Sequence, residues 1–375
     1  MIPLHVTSLG ISEIFATPEA DSVNGLQHLL RSTVGKTGVV FTSDGRNAIR
    51  LALEAMRLEK EDEVLMPAYM CHAARIAVES VCKPVFVDID PRTFCIDVSR
   101  IESHMTKKTK AILAVHLYGN ACDMEAMVKI ANTNKLVVIE DVAQAFGGSF
   151  QGRPLGSFGD FAIFSFRFTK DITCFRGGAL LSTQKFAFPQ KPPHLTSVLP
   201  GLLLTLLALK QIRFSPSAIY APIRKNILFP LFSRNAARLE INDETLSNYQ
   251  CYLLVRQFAR IKEIIEKRRL NAAFYSEKLK DVVTVPSWEN GAGDHTYSRY
   301  TIQADKREKL LDYLLDHGIE SDKMYNYSLD EGGRCSNSVA VSRRSLNIPV
   351  HQSLTSKDMV RVVELIHRFY GQRTA

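Results

Sequence analysis

The chain has 375 residues, of which 46% are hydrophobic and 23% are charged, and it contains seven cysteines. This composition excludes disordered and fibrous proteins, and the length suffices for one large and one smaller domain. The cysteine count is odd and no Cys-x-x-Cys pair occurs, so a disulfide framework or a zinc knuckle is not expected. We therefore expect no metal site. Because the N-terminus also lacks the pattern of a signal peptide, we expect a cytoplasmic protein.

The formal net charge of +8 has a local origin. Residues 184–239 contain no acidic residue but eight lysines and arginines, and the rest of the chain is neutral. A general nucleic-acid-binding surface is therefore not expected. Within this segment, residues 195–209 form an apolar run that is interrupted by Pro200 and Gly201 and is too short to span a bilayer, which needs roughly 20 residues. Two interpretations of residues 185–239 stay open: peripheral contact with the inner face of a membrane, or a buried core and dimer contact.

In chain order, the first half alternates short apolar runs with helical patterns. The predicted strands are residues 39–41, 63–67, 84–88, 111–117, 136–141, 161–166 and 179–182, and the predicted helices between them include 46–57, 72–81 and 124–134. This alternation predicts parallel βαβ units, whose ligands bind at the carboxyl ends of the strands. Further on, we predict a long helix at 257–279, a strand at 296–303, and helices at 307–317 and 356–370. The predicted domains are a large one at 1–250 and a small α+β one at 251–375.

The first candidate site element follows the strand at 39–41. Ser43, Asp44, Gly45 and Arg46 lie where a strand turns into a helix, and a glycine there exposes backbone N–H groups at a helix N-terminus. Such a turn can bind a phosphate. It can also be an ordinary connection, which is the more common case for a single turn.

The second element is Asp141, at the end of the apolar strand 136–141. A buried carboxylate in this position can pair with a protonated ring nitrogen of a cofactor. An isolated aspartate at a strand end is more often the N-cap of the next helix.

The third element is Lys170, which follows the strand 161–166. A lysine that loses its solvent there has a lowered pKa and becomes a nucleophilic amine, although most lysines are simply solvated. Ser165 can add a hydroxyl group to a phosphate site. A phosphate-binding turn, a carboxylate and a lysine at successive strand ends together are the parts that pyridoxal-phosphate (PLP) chemistry requires.

Several longer stretches carry a resemblance to a known family. They are EVLMP at 63–67, PVFVDID at 84–90, AVHLYG at 114–119, IEDVAQ at 139–144, GSFGD at 156–160, SLNIP at 345–349 and RFY at 368–370. On these residues the chain resembles the DegT/StrS family of PLP-dependent sugar aminotransferases, over most of its length apart from the N-terminus and residues 185–239. The resemblance implies an α/β protein of fold type I, with a mostly parallel seven-stranded sheet flanked by helices and a smaller α+β C-terminal domain.

The resemblance also implies roles for individual residues. Lys170 would carry the cofactor as a Schiff base, Asp141 would pair with the pyridine nitrogen, and Gln144 would contact the side of the ring hydroxyl. Ser165 would bind the phosphate together with the turn that holds Ser43, Gly45 and Arg46. The family's enzymes act as homodimers, and the residue that reaches the phosphate from the partner subunit corresponds best to Asn242.

This sequence departs from the family's pattern at several positions. Arg46 replaces a threonine of the phosphate turn, Arg176 replaces a glutamate, and Met324 replaces a histidine near the substrate. Cys71 stands where an aromatic side chain normally stacks on the cofactor ring, and Tyr69 is the candidate substitute. The cofactor-binding residues are thus retained while the substrate-facing residues differ.

The resemblance predicts an aminotransferase that moves an amino group from an amino acid, with glutamate as the expected donor, to a keto or aldehyde group of a nucleotide- or lipid-linked sugar. Such reactions belong to polysaccharide and antibiotic-sugar biosynthesis. Two alternatives on the same fold are a PLP-dependent dehydratase, which has histidine in place of Lys170, and a non-catalytic regulator.

Overall fold

The computed structural model describes residues 1–6, 8–186, 188–189, 191, 243–286 and 293–371. The apolar run at 195–209 and Asn242 lie outside these described residues. No helix of the described ranges is long and apolar enough to cross a membrane.

A seven-stranded sheet forms the centre of the fold and confirms the predicted α/β class. The strands in chain order are β1 (Gly38–Thr42), β2 (Glu63–Pro67), β3 (Lys83–Val87), β4 (Thr109–Val115), β5 (Val137–Asp141), β6 (Ser149–Phe150), β7 (Arg153–Pro154), β8 (Phe161–Ser165) and β9 (Gly178–Ser182). Their order in the sheet is β1-β9-β8-β5-β4-β2-β3, with β6 and β7 outside it. Only β9 runs antiparallel to its neighbours, β1 and β8. All seven predicted strands of the first half are therefore present in a mostly parallel sheet.

Helices cover both faces of this sheet. The helices in chain order are α1 (Ile11–Ile14), α2 (Ser22–Val34), α3 (Gly45–Ala55), α4 (His72–Val81), α5 (Met124–Asn134), α6 (Asn248–Phe258), α7 (Ile261–Leu279), α8 (Arg307–Asp316), α9 (Ser336–Arg344) and α10 (Ser356–Phe369). Consecutive residues of β4 belong to different hydrophobic cores: Ile112 lies in one core and Leu113 in the other. Because both faces of the parallel sheet are buried, its strands are continuous apolar runs, which made them predictable.

A third hydrophobic core holds the C-terminal part together. It includes the second half of α7, helices α8 and α10, and a two-stranded antiparallel sheet of β11 (Tyr300–Gln303) and β12 (Ser345–Ile348). A further short strand, β10 (Gly293–Asp294), pairs with β6. The residues of α6 and the first turns of α7 pack instead into the first core. The packing therefore passes from the first core to the third within α7. A domain boundary at residue 250 stays a prediction.

Three predicted elements have different bounds in the structure. The long helix predicted at 257–279 is present but begins at Ile261 as α7, because α6 ends at Phe258 and the chain breaks between them. Arg260, between them, donates hydrogen bonds to the carboxylate of Glu13. The strand predicted at 111–117 ends at Val115, because the chain turns at Tyr118 with a φ of 59°. The strand predicted at 296–303 begins only at Tyr300.

Candidate active site

One cavity collects most of the predicted site residues at the carboxyl ends of the strands. Seven of the ten line it: Gly45, Arg46, Cys71, Asp141, Gln144, Ser165 and Lys170. They come from the ends of β1, β2, β5 and β8, which point in the same direction across the sheet. The topology therefore brings together residues that are up to 125 positions apart (170 minus 45).

Asp141 and Lys170 both line this cavity, and the charge of each influences the pKa of the other. Burial raises the pKa of the Asp141 carboxyl above its ordinary value, and the nearby charge of Lys170 offsets only part of that effect. Burial likewise lowers the pKa of the Lys170 amine, and Asp141 again offsets only part. The backbone N–H of Ala143 donates to Asp141 Oδ1 at 3.0 Å and fixes the carboxylate. The lysine is thus poised to lose its proton and act as a nucleophile.

The turn that carries Lys170 follows β8 directly. The backbone N–H of Lys170 donates to the carbonyl oxygen of Arg167 at 2.9 Å, which closes the turn. Arg299 donates from Nη2 to the carbonyl oxygen of Thr169 at 3.1 Å. The lysine therefore projects from a turn that is held at both ends by hydrogen bonds.

The predicted phosphate turn is built around Asp44. Its Oδ1 accepts a hydrogen bond from the backbone N–H of Asn47 and caps α3, and its Oδ2 accepts one from Arg46 Nη2 at 2.9 Å. Burial opposes ionisation of Asp44, but the charge and the hydrogen bond of Arg46 outweigh it and lower the pKa of the carboxyl. A Cβ atom on Gly45 would lie only 3.1 Å from Ser165 Cβ, so the glycine allows the α3 N-terminus and the end of β8 to approach each other.

Gln144 is held by two residues on opposite sides of its amide. Its Oε1 accepts the backbone N–H of Tyr118 at 3.2 Å, and its Nε2 donates to the hydroxyl oxygen of Tyr325 at 2.7 Å. Tyr325 also stacks on Tyr118, with ring centroids 6.0 Å apart. Sequence reasoning missed Tyr325; its place beside Met324, the position of the expected substrate histidine, was the available signal.

A buried polar network involves the residue before Asp141 on β5. His116 and Glu140 are fully buried, and His116 Nε2 lies 3.3 Å from a carboxylate oxygen of Glu140. Glu140 also accepts the backbone N–H groups of Gly156 and Gly159. This network fixes the end of β5 and the loop before β8, and so the relative positions of the strands that carry Asp141 and Ser165.

Two of the predicted residues that the structure describes do not line the cavity. Tyr69 is fully buried and forms a hydroxyl–hydroxyl hydrogen bond of 2.8 Å with Tyr118. Ser43 is also buried, and its hydroxyl oxygen accepts a hydrogen bond from Asn47. Asn242 is outside the described residues. Cys71 does line the cavity, and none of the described lining residues is aromatic.

Comparisons with known proteins relate both the sequence and the fold of this chain to one family. The sequence model of the DegT/DnrJ/EryC1/StrS aminotransferase family matches residues 13–186 and 241–367. The chain is 31% identical over 342 residues to a pleiotropic regulatory protein of Geobacillus stearothermophilus, covering 87% of this chain and 83% of that protein. It is 29% identical over 349 residues to the GDP-perosamine synthase of Escherichia coli O157:H7, covering 88% and 85%. The aminotransferase TlmJ from Streptoalloteichus hindustanus has the same fold, with a TM-score of 0.77, 20% identity and 98% coverage of both chains.

Proposed function

We propose a specific reaction for this chain, which belongs to the DegT/DnrJ/EryC1/StrS aminotransferase family: transfer of an amino group from an amino acid, glutamate in particular, to a keto or aldehyde group of a sugar. The observation that carries the proposal is that Lys170 and Asp141 line one cavity at the strand ends, where the charge of each influences the pKa of the other. Members of this family are PLP-dependent aminotransferases, and solved structures of the same fold include PLP and PMP forms of one protein from Streptococcus pneumoniae.

The residues of the cavity fit PLP. Lys170 would attach the cofactor, Asp141 would face its ring nitrogen, and Gln144 would lie beside the ring hydroxyl. The α3 N-terminus with Gly45, Arg46 and Ser165 would hold the phosphate, since the close approach at Gly45 brings the Ser165 side chain next to the first turn of α3. When bound, the cofactor supplies an electron-withdrawing ring that stabilises negative charge on the amino-donor carbon.

The chain's own residues supply proton transfer and orientation. Burial lowers the pKa of Lys170 Nζ, which favours its role in accepting a proton from the donor Cα and returning one to the product. Asp141, whose Oδ1 accepts the Ala143 N–H, would stabilise a proton on the ring nitrogen of a bound cofactor by its charge. Gln144, fixed by Tyr118 and Tyr325, would orient that ring.

The acceptor class rests on the relatives. The names GDP-perosamine synthase and UDP-N-acetyl-3-dehydro-alpha-D-glucosamine 3-aminotransferase describe enzymes of nucleotide sugars. We propose a nucleotide- or lipid-linked keto sugar for this chain. Lys170 is retained and the cavity is intact, which favours an aminotransferase over a dehydratase or a non-catalytic regulator.

Assembly and location also belong to the proposal. We propose a cytoplasmic homodimer whose Asn242 reaches the partner's phosphate site. The family match stops at residue 186 and resumes at 241. Residues 184–239 contain no acid and eight cations, which supports peripheral contact with anionic lipid. Flotation of the protein with anionic liposomes tests this contact; a protein that stays in the soluble fraction would contradict it.

The experiment that tests the reaction uses Lys170→Ala, with the exposed Lys108→Ala as the matched control. The purified wild type should show the visible absorbance of lysine-bound cofactor, and glutamate should convert it to the aminated form and release 2-oxoglutarate. Lys170→Ala should lose the absorbance and reduce turnover on the order of 10²–10⁴-fold or more, because the nucleophile and the proton carrier are gone. Wild-type turnover in this variant would refute the assignment.

A further inference from the structure

A second cavity adjoins the first at Lys170. Its lining includes Lys170, Thr169, Arg268, Arg299 and His351, together with the N-terminal residues Leu4 to Val6. Lys170 lines both cavities, so the second cavity lies directly beside the amine at which the reaction is proposed to occur.

Arg299 differs from the other buried arginines of the described residues. Arg50, Arg268 and Arg307 each form an ion pair, with Glu54, Asp171 and Glu308. Arg299 is 5% exposed, yet no carboxylate oxygen of the described residues lies within 4.0 Å of its guanidinium nitrogens. Its partners are two carbonyl oxygens, those of Ser298 at 2.7 Å and Thr169 at 3.1 Å.

The guanidinium of Arg299 retains unused donor capacity. Its Nε is buried and has no hydrogen-bond partner. A buried guanidinium with an unpartnered N–H is costly unless an anion compensates it. Burial lowers the pKa of Arg299, and the more distant charges of Asp322 and Asp171 offset only part of that effect. Arg268 neutralises Asp171, so the cavity has an excess of positive charge.

We propose that Arg299 is the anchor of a carboxylate-binding subsite beside Lys170. The inference rests on the proposed aminotransferase function and extends it to the substrate. A carboxylate matches the planar donor fork of a guanidinium and would satisfy the Nε donor. In an α-amino acid the carboxylate is one carbon away from the reacting amine, which suits a group that lines a cavity shared with Lys170. An acidic group on the sugar acceptor would offer the same chemistry.

The test measures binding and reaction separately. Calorimetric titration with glutarate, which is glutamate without its amino group, gives the affinity of the holoenzyme for a carboxylate. Arg299→Gln should weaken this affinity about tenfold or more, and Arg299→Lys should weaken it less, because a cation remains. Arg361→Gln is the matched control, since Arg361 also donates to a carbonyl oxygen, but on the exposed surface. The glutamate half-reaction, followed without acceptor, gives the second readout.

The outcomes distinguish the two hypotheses. If Arg299→Gln keeps the cofactor absorbance but raises the KM for glutamate about tenfold, the subsite holds the donor. If glutarate binding weakens while the glutamate half-reaction is unchanged, the subsite belongs to an acidic acceptor. Unchanged glutarate affinity in Arg299→Gln, with cofactor bound, would overturn the subsite and leave the aminotransferase intact. A wild type that binds no cofactor would instead contradict the proposed function itself.

Discussion

At the scale of single residues, the electrostatics of Asp141 and Lys170 favour reactivity over stability. Burial disfavours the charged form of each side chain, and the charge of the other side chain offsets only part of that effect on its pKa. Such opposed shifts are typical of sites that exchange protons at neutral pH. The same two groups would gain a compensating partner when a cofactor with a basic ring nitrogen and an aldehyde occupies the cavity.

The first prediction concerns the charge of Asp141. Asp141→Asn should retain the fold and the cofactor but lose turnover on the order of 10²-fold or more, because a neutral amide cannot hold the ring nitrogen protonated. Single-turnover measurement with glutamate gives the rate, and the absorbance of bound cofactor gives the occupancy. Asp123→Asn, which alters the exposed N-cap of α5, is the control. Near-normal turnover in Asp141→Asn would show that the carboxylate has another role.

The second prediction concerns Tyr325. Tyr325→Phe removes the hydroxyl that accepts the Gln144 Nε2 hydrogen bond and leaves a buried amide donor unpartnered. The dissociation constant for PLP should rise about threefold to tenfold, which corresponds to one hydrogen bond. Fluorescence titration of the cofactor-free protein measures it, with Tyr313→Phe as a control outside the cavity. An unchanged constant would mean that Gln144 does not depend on Tyr325 for its orientation.

At the scale of elements, helix α9 shows a cap supplied from far away in the chain. Asp88, just after β3, accepts the backbone N–H groups of Asn337 and Ser338 at 2.9 Å and the Ser338 hydroxyl at 2.8 Å. The residues are about 250 positions apart, so the cap joins the sheet to the C-terminal region. Arg100 Nη1 is 3.7 Å from the same carboxylate.

The third prediction follows from this cap. Asp88→Asn removes the negative charge and exchanges one acceptor for a donor that faces backbone N–H groups. The free energy of unfolding should fall by about 1–3 kcal/mol, which is the range for an unsatisfied buried group. Urea denaturation measures it. Asp97→Asn, which caps only an exposed turn, should cost less. Equal losses in the two variants would rule out a special contribution from the long-range cap.

Some of these elements were predictable from the sequence and others were not. The strands were predictable because buried parallel strands are continuous apolar runs, and Asp141 and Lys170 were predictable because they follow those runs. Helix α9 was missed because its buried positions include Ser338 and Ser342 and its cap comes from Asp88. The break before α7 has neither proline nor glycine; Arg260 bonds Glu13, 247 positions earlier.

The parts of the site that the sequence did not reveal share one cause. Tyr325 contacts Gln144 across 181 positions, and Arg299 contacts Thr169 across 130. The position of Tyr325 beside Met324 was the one local signal, and Arg299 had none, since the contacts of both depend on how the C-terminal region packs against the sheet. Tyr69 was predicted to substitute for the aromatic residue that stacks on the cofactor. It does not line the cavity, because its ring packs among Phe94, Tyr118 and Tyr325.

At the scale of the whole molecule, the N-terminus ties the C-terminal region together. Ile2 forms a parallel bridge with Ile319, and the backbone N–H of Leu4 donates to Glu320 at 2.7 Å. His351 Nε2 lies 3.0 Å from the carbonyl oxygen of Pro3 and donates to it, while Nδ1 accepts the backbone N–H of Ser353 at 3.3 Å. Both ring nitrogens are therefore used, and the neutral tautomer is specified.

The last prediction is a dependence of stability on pH. Burial lowers the pKa of His351 from 6.5 to about 4, and a proton on Nδ1 would oppose the Ser353 N–H. Between these values the unfolded chain binds more protons, so stability falls as the pH falls from 6.5 to 4. His351 should account for a loss of about 3 kcal/mol, and the equally buried His295 adds a loss of the same sign. Urea denaturation at pH 6.5 and pH 4 measures it.

The matched comparison isolates His351 from the other titrating groups. His351→Gln keeps an N–H that can reach the Pro3 carbonyl but cannot titrate, so its free energy of unfolding should fall by about 3 kcal/mol less than that of the wild type between pH 6.5 and pH 4. At pH 7 the variant itself should be less stable, because glutamine cannot also accept the Ser353 N–H. His28→Gln, at an exposed histidine, controls for the substitution. Equal losses in wild type and His351→Gln would place the acid sensitivity elsewhere and leave the junction of Pro3 with His351 a purely structural contact.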